Sequence, residues 1–308
     1  MPLVSTTRGY KGRGRFVLRP ISGGKPFELG NVTAVNESIE INRTSRQNFQ
    51  DAAGGELDVE ETVTSYTFEA TCDDITPKNI AIGMRGSAIK MPSEAVSDVA
   101  LFVWAGVPAA FRYLPDPNVA PAVAIAATAA PATSTEYAAG AIVLEGARGY
   151  LCVIGGTSDS VAPTWPDDLS TVVDGTVTWK DVGPVALVAE TDYEVTPHGI
   201  RMLSGSADRF HEELPIPLAV GYTRNAQYLI QALVASGEEF EVIWHGLNSN
   251  DGGNPMTGRY FRTKFSPTSG FGRHGGTDFA TLTLSATVLA DESREGAGLS
   301  KYQETAMI

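Results

Sequence analysis

The stretch Thr281-Leu-Thr-Leu-Ser-Ala-Thr-Val288 alternates apolar and polar side chains without a break. A period of two marks a half-buried strand. Leu282, Leu284, Ala286 and Val288 would face a core, and Thr281, Thr283, Ser285 and Thr287 would face away. The same rhythm recurs upstream. Phe261, Thr263 and Phe265 alternate with Tyr260, Arg262 and Lys264; Phe240, Val242 and Trp244 alternate with Glu239, Glu241 and Ile243. Within 57–71, Tyr66, Phe68 and Ala70 face one way and Ser65, Thr67 and Glu69 the other. Residues 15–20 and 31–41 read as further strands, and 99–104 as a buried one. Gly 32 and Pro 18 supply turns between them.

One helix interrupts the pattern, at Thr76-Pro-Lys-Asn-Ile-Ala-Ile-Gly-Met-Arg-Gly86. Thr76 is an N-cap, Pro77 suits the first helical position, and Gly86 is placed to end it. Ile75 and Ile80 have the spacing of a hydrophobic staple. A helix this short is not stable alone, so it must pack on the sheet, through Ile80 and Met84. Residues 226–234 fit a helical stripe and a strand equally well. The fold class expected is mainly β with one short packed helix, a β-sandwich or barrel.

Between Val119 and Thr133, 8 of 15 residues are Ala and two are Pro, a linker-like composition. Short strands at 142–144, 150–154 and 176–179 follow, set between Gly-rich turns. Residues 116–185 therefore read as a small all-β domain inserted into a larger one formed by 1–115 and 186–308; insertion into a surface loop is thermodynamically cheap. Two of the four Trp residues fall in this module. Trp179, on a Val-Thr-Trp strand, reads as module core with Tyr150, because so small a domain needs large rings to bury. Trp165, between Thr164 and Pro166, reads as a loop residue and the better candidate for a glycan contact.

Net charge is −13, unevenly spread. Residues 1–27 carry Arg8, Lys11, Arg13, Arg15, Arg19 and Lys25 and no acid, so 17 basic residues face 36 acidic ones in the remainder. The basic start reads as a solvated arm, or as one that docks on an acidic neighbour. An acidic body argues against a nucleic-acid-binding groove. Cys72 and Cys152 read as small buried residues, not a disulfide framework or a metal site. The N-terminus lacks an apolar core of signal-peptide length, so a cytosolic chain is expected, and the Asn-x-Ser/Thr triplets at Asn31, Asn36 and Asn42 read as chance.

Catalytic motifs fail on context. Gly270-Phe-Gly272-Arg-His-Gly275 resembles a dinucleotide turn but lacks the flanking strand and helix. His211-Glu-Glu-Leu-Pro lacks the second His of a zinc helix, and His198, His211, His245 and His274 are scattered. Asp73-Asp74 and Asp167-Asp168 read as turn and cap acids. No enzyme, cofactor or metal is expected. Residues 42–55 are polar but for Phe49, long for a hairpin loop, and long loops tend to be functional. The tail, 291–308, reads as a polar segment that orders only against a partner.

An ordered set of phrases carries a resemblance. It comprises Gly9-Tyr-Lys-Gly-Arg-Gly14, Leu29-Gly-Asn-Val32, the helix 76–86, Asp192-Tyr-Glu-Val195, Trp244-His-Gly-Leu-Asn248, and Asp278-Phe-Ala-Thr-Leu282 running on to Val288-Leu-Ala-Asp291. Together they resemble the major tail tube protein of long-tailed bacteriophages, over most of 1–115 and 186–308. The module resembles small carbohydrate-binding or immunoglobulin-like domains of phage tails. The resemblance implies a virion structural protein, assembled in the host bacterial cytoplasm into stacked hexameric rings. Phage DNA would pass through the lumen unbound, and the module would decorate the exterior. It implies tape measure, tail terminator and distal tail proteins as partners. It makes 42–55 the ring-stacking loop, with Phe49 as its anchor beside Asn48 and Gln50, and with Arg43 and Arg46 pairing acids on the neighbour. The alternatives are a glycan-binding adhesin acting through the module and a tail-end adaptor ring of the same fold.

Overall fold

The computed structural model describes residues 9–50, 52–127, 129–203, 209–211, 213–250, 252–268, 270–273 and 278–307. Arg8, Asp51, Thr128, Glu212, His274, Gly275 and Ile308, all part of segments read above, lie outside the described residues. Over the described residues the chain is mainly β with one short helix. It forms two compact units, one of Met1–Ile89 with Tyr228–Ile308 and one of Lys90–Gln227. The second unit is wider than the module expected at 116–185.

The first unit opens with β1 (Gly12–Pro20), β2 (Phe27–Glu28), β3 (Val32–Gln47), β4 (Glu56–Cys72) and α1 (Pro77–Gly83); β5 (Ser87–Met91) leads out of it. The second unit holds β6 (Glu94–Val103), β7 (Pro108–Ala110), β8 (Ala122–Ile125), β9 (Glu136–Tyr137), β10 (Ile142–Glu145), β11 (Arg148–Ile154), β12 (Gly156–Thr157), β13 (Thr171–Asp174), β14 (Val177–Pro184), β15 (Tyr193–Thr196), β16 (Gly199–Met202) and β17 (Ile216–Arg224). The chain then runs through β18 (Gln227–Gln231), β19 (Glu239–Asn248), β20 (Asn254–Phe265), β21 (Leu282–Val288) and β22 (Gln303–Met307). Residues 226–234 thus resolve toward the strand.

In the first unit the strands pair antiparallel in the order β2-β1-β19-β20-β21-β4-β3, with β22 joined to β20. The 282–288 strand does what its alternation dictates: Leu282, Leu284, Ala286 and Val288 are all buried. They meet Phe16, Leu18, Phe68, Phe240, Val242 and Phe265 in one core. A bulge in the β19–β20 pairing, between Phe240 and Val242, lets consecutive Tyr260 and Phe261 both be buried, which strict alternation forbids. The tail does not wait for a partner; β22 pairs with β20, Met307 opposite Met256 and Gln303 opposite Tyr260.

Helix α1 starts where its cap residues place it: Thr76 Oγ1 accepts from the Asn79 N–H at 3.2 Å, with Pro in the first turn. Its buried residues are Asn79, Ala81 and Gly83, not Ile80 and Met84. A Cβ on Gly83 would stand 3.0 Å from Leu284 and 3.4 Å from Leu282, so the helix approaches β21 through its small residues. Among the described residues, no helix is long and apolar enough to cross a membrane.

The second unit has its own core, built from Val103, Val123, Ile125, Leu151, Val182, Ile200, Ile216, Leu218 and neighbours. The Ala-rich span is no linker: β8 lies within it, pairs with β17 and buries Val123 and Ile125. Strand β6 is not buried throughout. It is the edge of the sheet β6-β17-β8, and Phe102 and Trp104 are exposed. The four-stranded sheet β10-β11-β14-β13 has a separate small core of Val143, Tyr150, Cys152, Val177 and Trp179.

Cys72 and Cys152 are both free and buried. Burial, reinforced by Asp73 and Asp74, pushes the Cys72 thiol up to about 11, and burial raises that of Cys152. The thiolate is the reactive form. Native protein at pH 8 should therefore react negligibly in a colorimetric thiol titration and release both thiols in denaturant; prompt reaction of either in the native chain would contradict this burial.

Candidate assembly surface

Strands β3 and β4 form a ribbon that runs on beyond the pairing of β4 with β21. β21 pairs with β4 only from Thr67 to Cys72, so among the described residues the far edge of β4 is open from Glu56 to Tyr66. β3 is the last strand of the sheet, and among the described residues its outer edge is open as well. At roughly 3.3 Å per residue, the arms 39–47 and 56–65 run on the order of 30 Å beyond the last pair of β4 with β21, Thr67–Thr287. Exposed on this ribbon are Ile39, Ile41, Leu57, Val59 and Val63, and Phe49 at its turn is 92% exposed. A lone two-stranded ribbon is marginal in water, and an open apolar edge is a template for another chain.

The segment expected as a loop over 42–55 is mostly strand. Arg43 and Arg46 lie on β3, opposite Glu61 and Asp58, and only 48–55 turns. The reason is pairing without burial: β4 supplies a full ladder of backbone partners although neither face is covered, so no apolar rhythm marks it. Asn48 Oδ1 accepts from Gln50 N at 2.8 Å, Asn48 N donates to Gly55 O at 2.7 Å, and Gly54 and Gly55 take positive φ. These bonds hold the turn and leave the Phe49 ring outside it.

Arg43 is not free to meet a neighbour's acid. Its Nη1 donates to Glu56 Oε1 at 3.1 Å, its Nη2 lies 2.5 Å from Oε2, and Glu61 is 3.8 Å from its Nε. Hydrogen bonding from Arg43, with its charge adding, holds the Glu56 carboxyl below the usual carboxylate range. A depressed folded pKa contributes stability above the unfolded value, and that contribution is lost as pH falls through the folded one. Arg43→Met should therefore raise the Glu56 midpoint in a side-chain NMR titration; an unmoved midpoint would remove Arg43 as the cause.

The root of the ribbon is tied to the core. The Glu37 carboxylate on β3 accepts from Tyr66 Oη on β4 at 2.6 Å and from Tyr260 Oη on β20. Burial, then Glu37 itself, pushes both phenols far above their ordinary range, so they remain donors. This clamp escaped the sequence reading because Glu37 sits in an otherwise apolar alternation of Val35 and Ile39. Beside it, Ile39, Val63 and Tyr66 line a shallow groove with Tyr302, whose ring is 6.4 Å from that of Tyr66.

A cavity of about 460 Å³ lies by α1, lined by Phe27, Ile82, Phe240 and Phe265 with Lys25, Lys78 and Arg85 around them. Lys78 Nζ stands 4.5 Å over the Phe27 ring. Arg85 has φ of 45° and a buried Nε with no hydrogen-bond partner among the described residues.

Residues 9–148 and 167–306 match a family described as "protein of unknown function UCP028589". The chain belongs to that family. No curated protein matches it. The family match spans both units and skips 149–166, the stretch that carries Tyr150 and Trp165.

The module residues fall as a cluster. Trp179 is fully buried and Tyr150 nearly so. Trp165 is half-buried, not loose: its ring is 4.5 Å from Tyr150 and 5.9 Å from Trp179. Tyr150 Oη donates to the Pro166 carbonyl at 2.8 Å and fixes that loop. The discounted motifs have local work. Asp74 accepts from Asn31 N at 2.8 Å and Asp73 from Asn31 Nδ2 at 2.9 Å, while His211 Nδ1 accepts the N–H groups of Glu213 and Leu214. Among the described residues, no group of three His, Cys, Asp or Glu side chains is placed to hold a metal ion.

Proposed function

We propose that the chain is a self-assembling structural subunit, the tube protein of a phage tail, whose rings stack into a channel for DNA. The observation that carries the assembly reading is the β3–β4 ribbon. Among the described residues it has two open edges, exposed apolar side chains on both arms and a bare Phe49. The tail identity rests on the ordered phrases of the sequence and on the acidic body, which repels phosphate and lets DNA slide. In this reading the neighbours beyond the tube are tape measure, terminator and distal tail proteins, and the chain has no catalytic role. A glycan-binding role for Trp165 gains no support from a ring packed on two others.

Purified full-length chain should form rings or tubes under negative stain and sediment as large species at raised concentration. Persistent monomers would overturn the reading. Assembly that halts at one or two rings would favour an adaptor instead.

A further inference from the structure

We propose that the Phe49 turn of one copy inserts into the cavity beside α1 of the next copy. This names the receptor for the ribbon and rests on the self-assembly reading above. The two features occupy opposite ends of one sheet, as the pairing register requires. Residues 67–72 of β4 run antiparallel to 282–287 of β21, with Cys72 opposite Leu282. The ribbon turn therefore points past Val288. β20 meets β21 through Phe265 opposite Ala286 and Thr263 opposite Val288, so the Asn254 end of β20 points the same way. Phe265, Phe240 at the start of β19 and Pro20 at the end of β1 mark the other end, and these three residues line the cavity. Knob and hole at opposite ends of one sheet make a heterologous contact, which repeats in a line and does not close as a dimer.

The chemistry of the two ends is complementary. The knob is an aromatic ring 92% exposed, and the cavity is walled by Phe27, Ile82, Phe240 and Phe265. At about 460 Å³ it lies within the size range of ordinary ligand sites, roughly 300–1,000 Å³, and takes one ring with part of its turn. Lys25, Lys78 and Arg85 line the cavity, and among the described residues none of them has a carboxylate at ion-pair distance. The one acid there, Glu238, accepts from Ser22 Oγ at 2.9 Å. Over 43–61 the ribbon carries Asp51, Glu56, Asp58, Glu60 and Glu61 against Arg43 and Arg46. A basic cavity thus meets an acidic ribbon, which sets orientation and speeds encounter. The buried Nε of Arg85, on a residue held at positive φ, lacks among the described residues the acceptor that buried donors ordinarily have. An incoming backbone carbonyl or carboxylate would supply it.

The test is disulfide trapping in the full chain. Phe49→Cys places a thiol on the knob and Ala235→Cys one at the exposed rim of the cavity; Cys72 and Cys152 are buried and stay silent. Mixing the two single variants under mild oxidation should give a 49–235 cross-linked dimer, and the double variant should give a ladder of multimers. Phe49→Ala should raise the concentration needed for assembly on the order of tenfold to a hundredfold, the worth of burying one Phe ring. Assembly that proceeds without the cross-link, and at the wild-type concentration in Phe49→Ala, overturns the knob-and-cavity pairing and leaves the assembly reading standing. A wild-type chain that never assembles, and gives no cross-link, overturns both.

Discussion

Trp179→Ala is expected to destabilise the 90–227 unit by about 3–5 kcal/mol and to leave the other unit's unfolding where it is. Trp179 is fully buried on β14 and is the largest side chain of its small core. Its ring packs edge-on against Tyr137 at 4.8 Å and tilts against Trp165 at 5.9 Å. Its Nε1–H donates to Asp174 Oδ2 at 3.3 Å, and Asp174 is itself buried with its other oxygen taking the Asp159 N–H at 2.8 Å. Alanine would open a ring-sized cavity and strip one oxygen of a buried carboxylate of its donor, two costs in the same direction. The core of the first unit draws only on residues 16–82 and 240–288, so it shares no side chain with this one. Calorimetry should show two transitions, with the 90–227 one lowered on the order of 10–20 °C. If both transitions move together, the cores are not independent and this account fails.

What the sequence made legible was burial with a rhythm. The 282–288 strand could be read residue by residue because one of its faces is core. The N-cap of α1 could be read because Thr76 and Pro77 act locally. Its packing face could not, because contact with Leu282 and Leu284 requires small residues, and Ala81 and Gly83 carry no hydrophobic signal in proportion to their burial. The Ala-rich span hides its strand because β8 buries only Val123 and Ile125, and Ala127, buried just after it, carries little apolar signal. Residues 42–47 look like loop in the sequence because both faces of the ribbon are wet there. Their order comes from the backbone ladder with β4, which composition does not record. Phe49 stood out as the lone large apolar residue of 42–55. The cavity beside α1 did not, since its lining comes from four separate segments, 20–27, 78–88, 235–240 and 265. Features that do not pack into the chain's own core leave the weakest mark, because the pattern that betrays a core is a chain's packing against itself.

Arg209→Met is the second large effect, again about 3–5 kcal/mol in the 90–227 unit. Arg209 is only 6% exposed. Its Nη1 donates to Asp192 Oδ1 at 2.6 Å, and its Nε and Nη2 donate to the carbonyls of Val182 and Pro184. The other Asp192 oxygen accepts from Val188 N at 2.8 Å. One guanidinium therefore fastens the end of β14 to the turn before β15. Methionine would fill much of the space but leave a buried carboxylate without its counter-charge and two carbonyls without donors. Removing one partner of such a pair costs far more than removing both. The double variant Arg209→Met, Asp192→Leu should accordingly recover part of the loss, and a urea-unfolding cycle measures the difference. Strict additivity, or a cost under about 1 kcal/mol for the single change, would show that the pair is incidental. Asp192 opens the Asp-Tyr-Glu-Val phrase that contributed to the tail-tube resemblance, and Tyr193 behind it is buried with its hydroxyl on the Pro121 carbonyl at 2.9 Å. That phrase has work to do inside its own unit whatever the chain assembles into. The resemblance it lends therefore bears on how this region folds, and the assembly reading must stand on the ribbon.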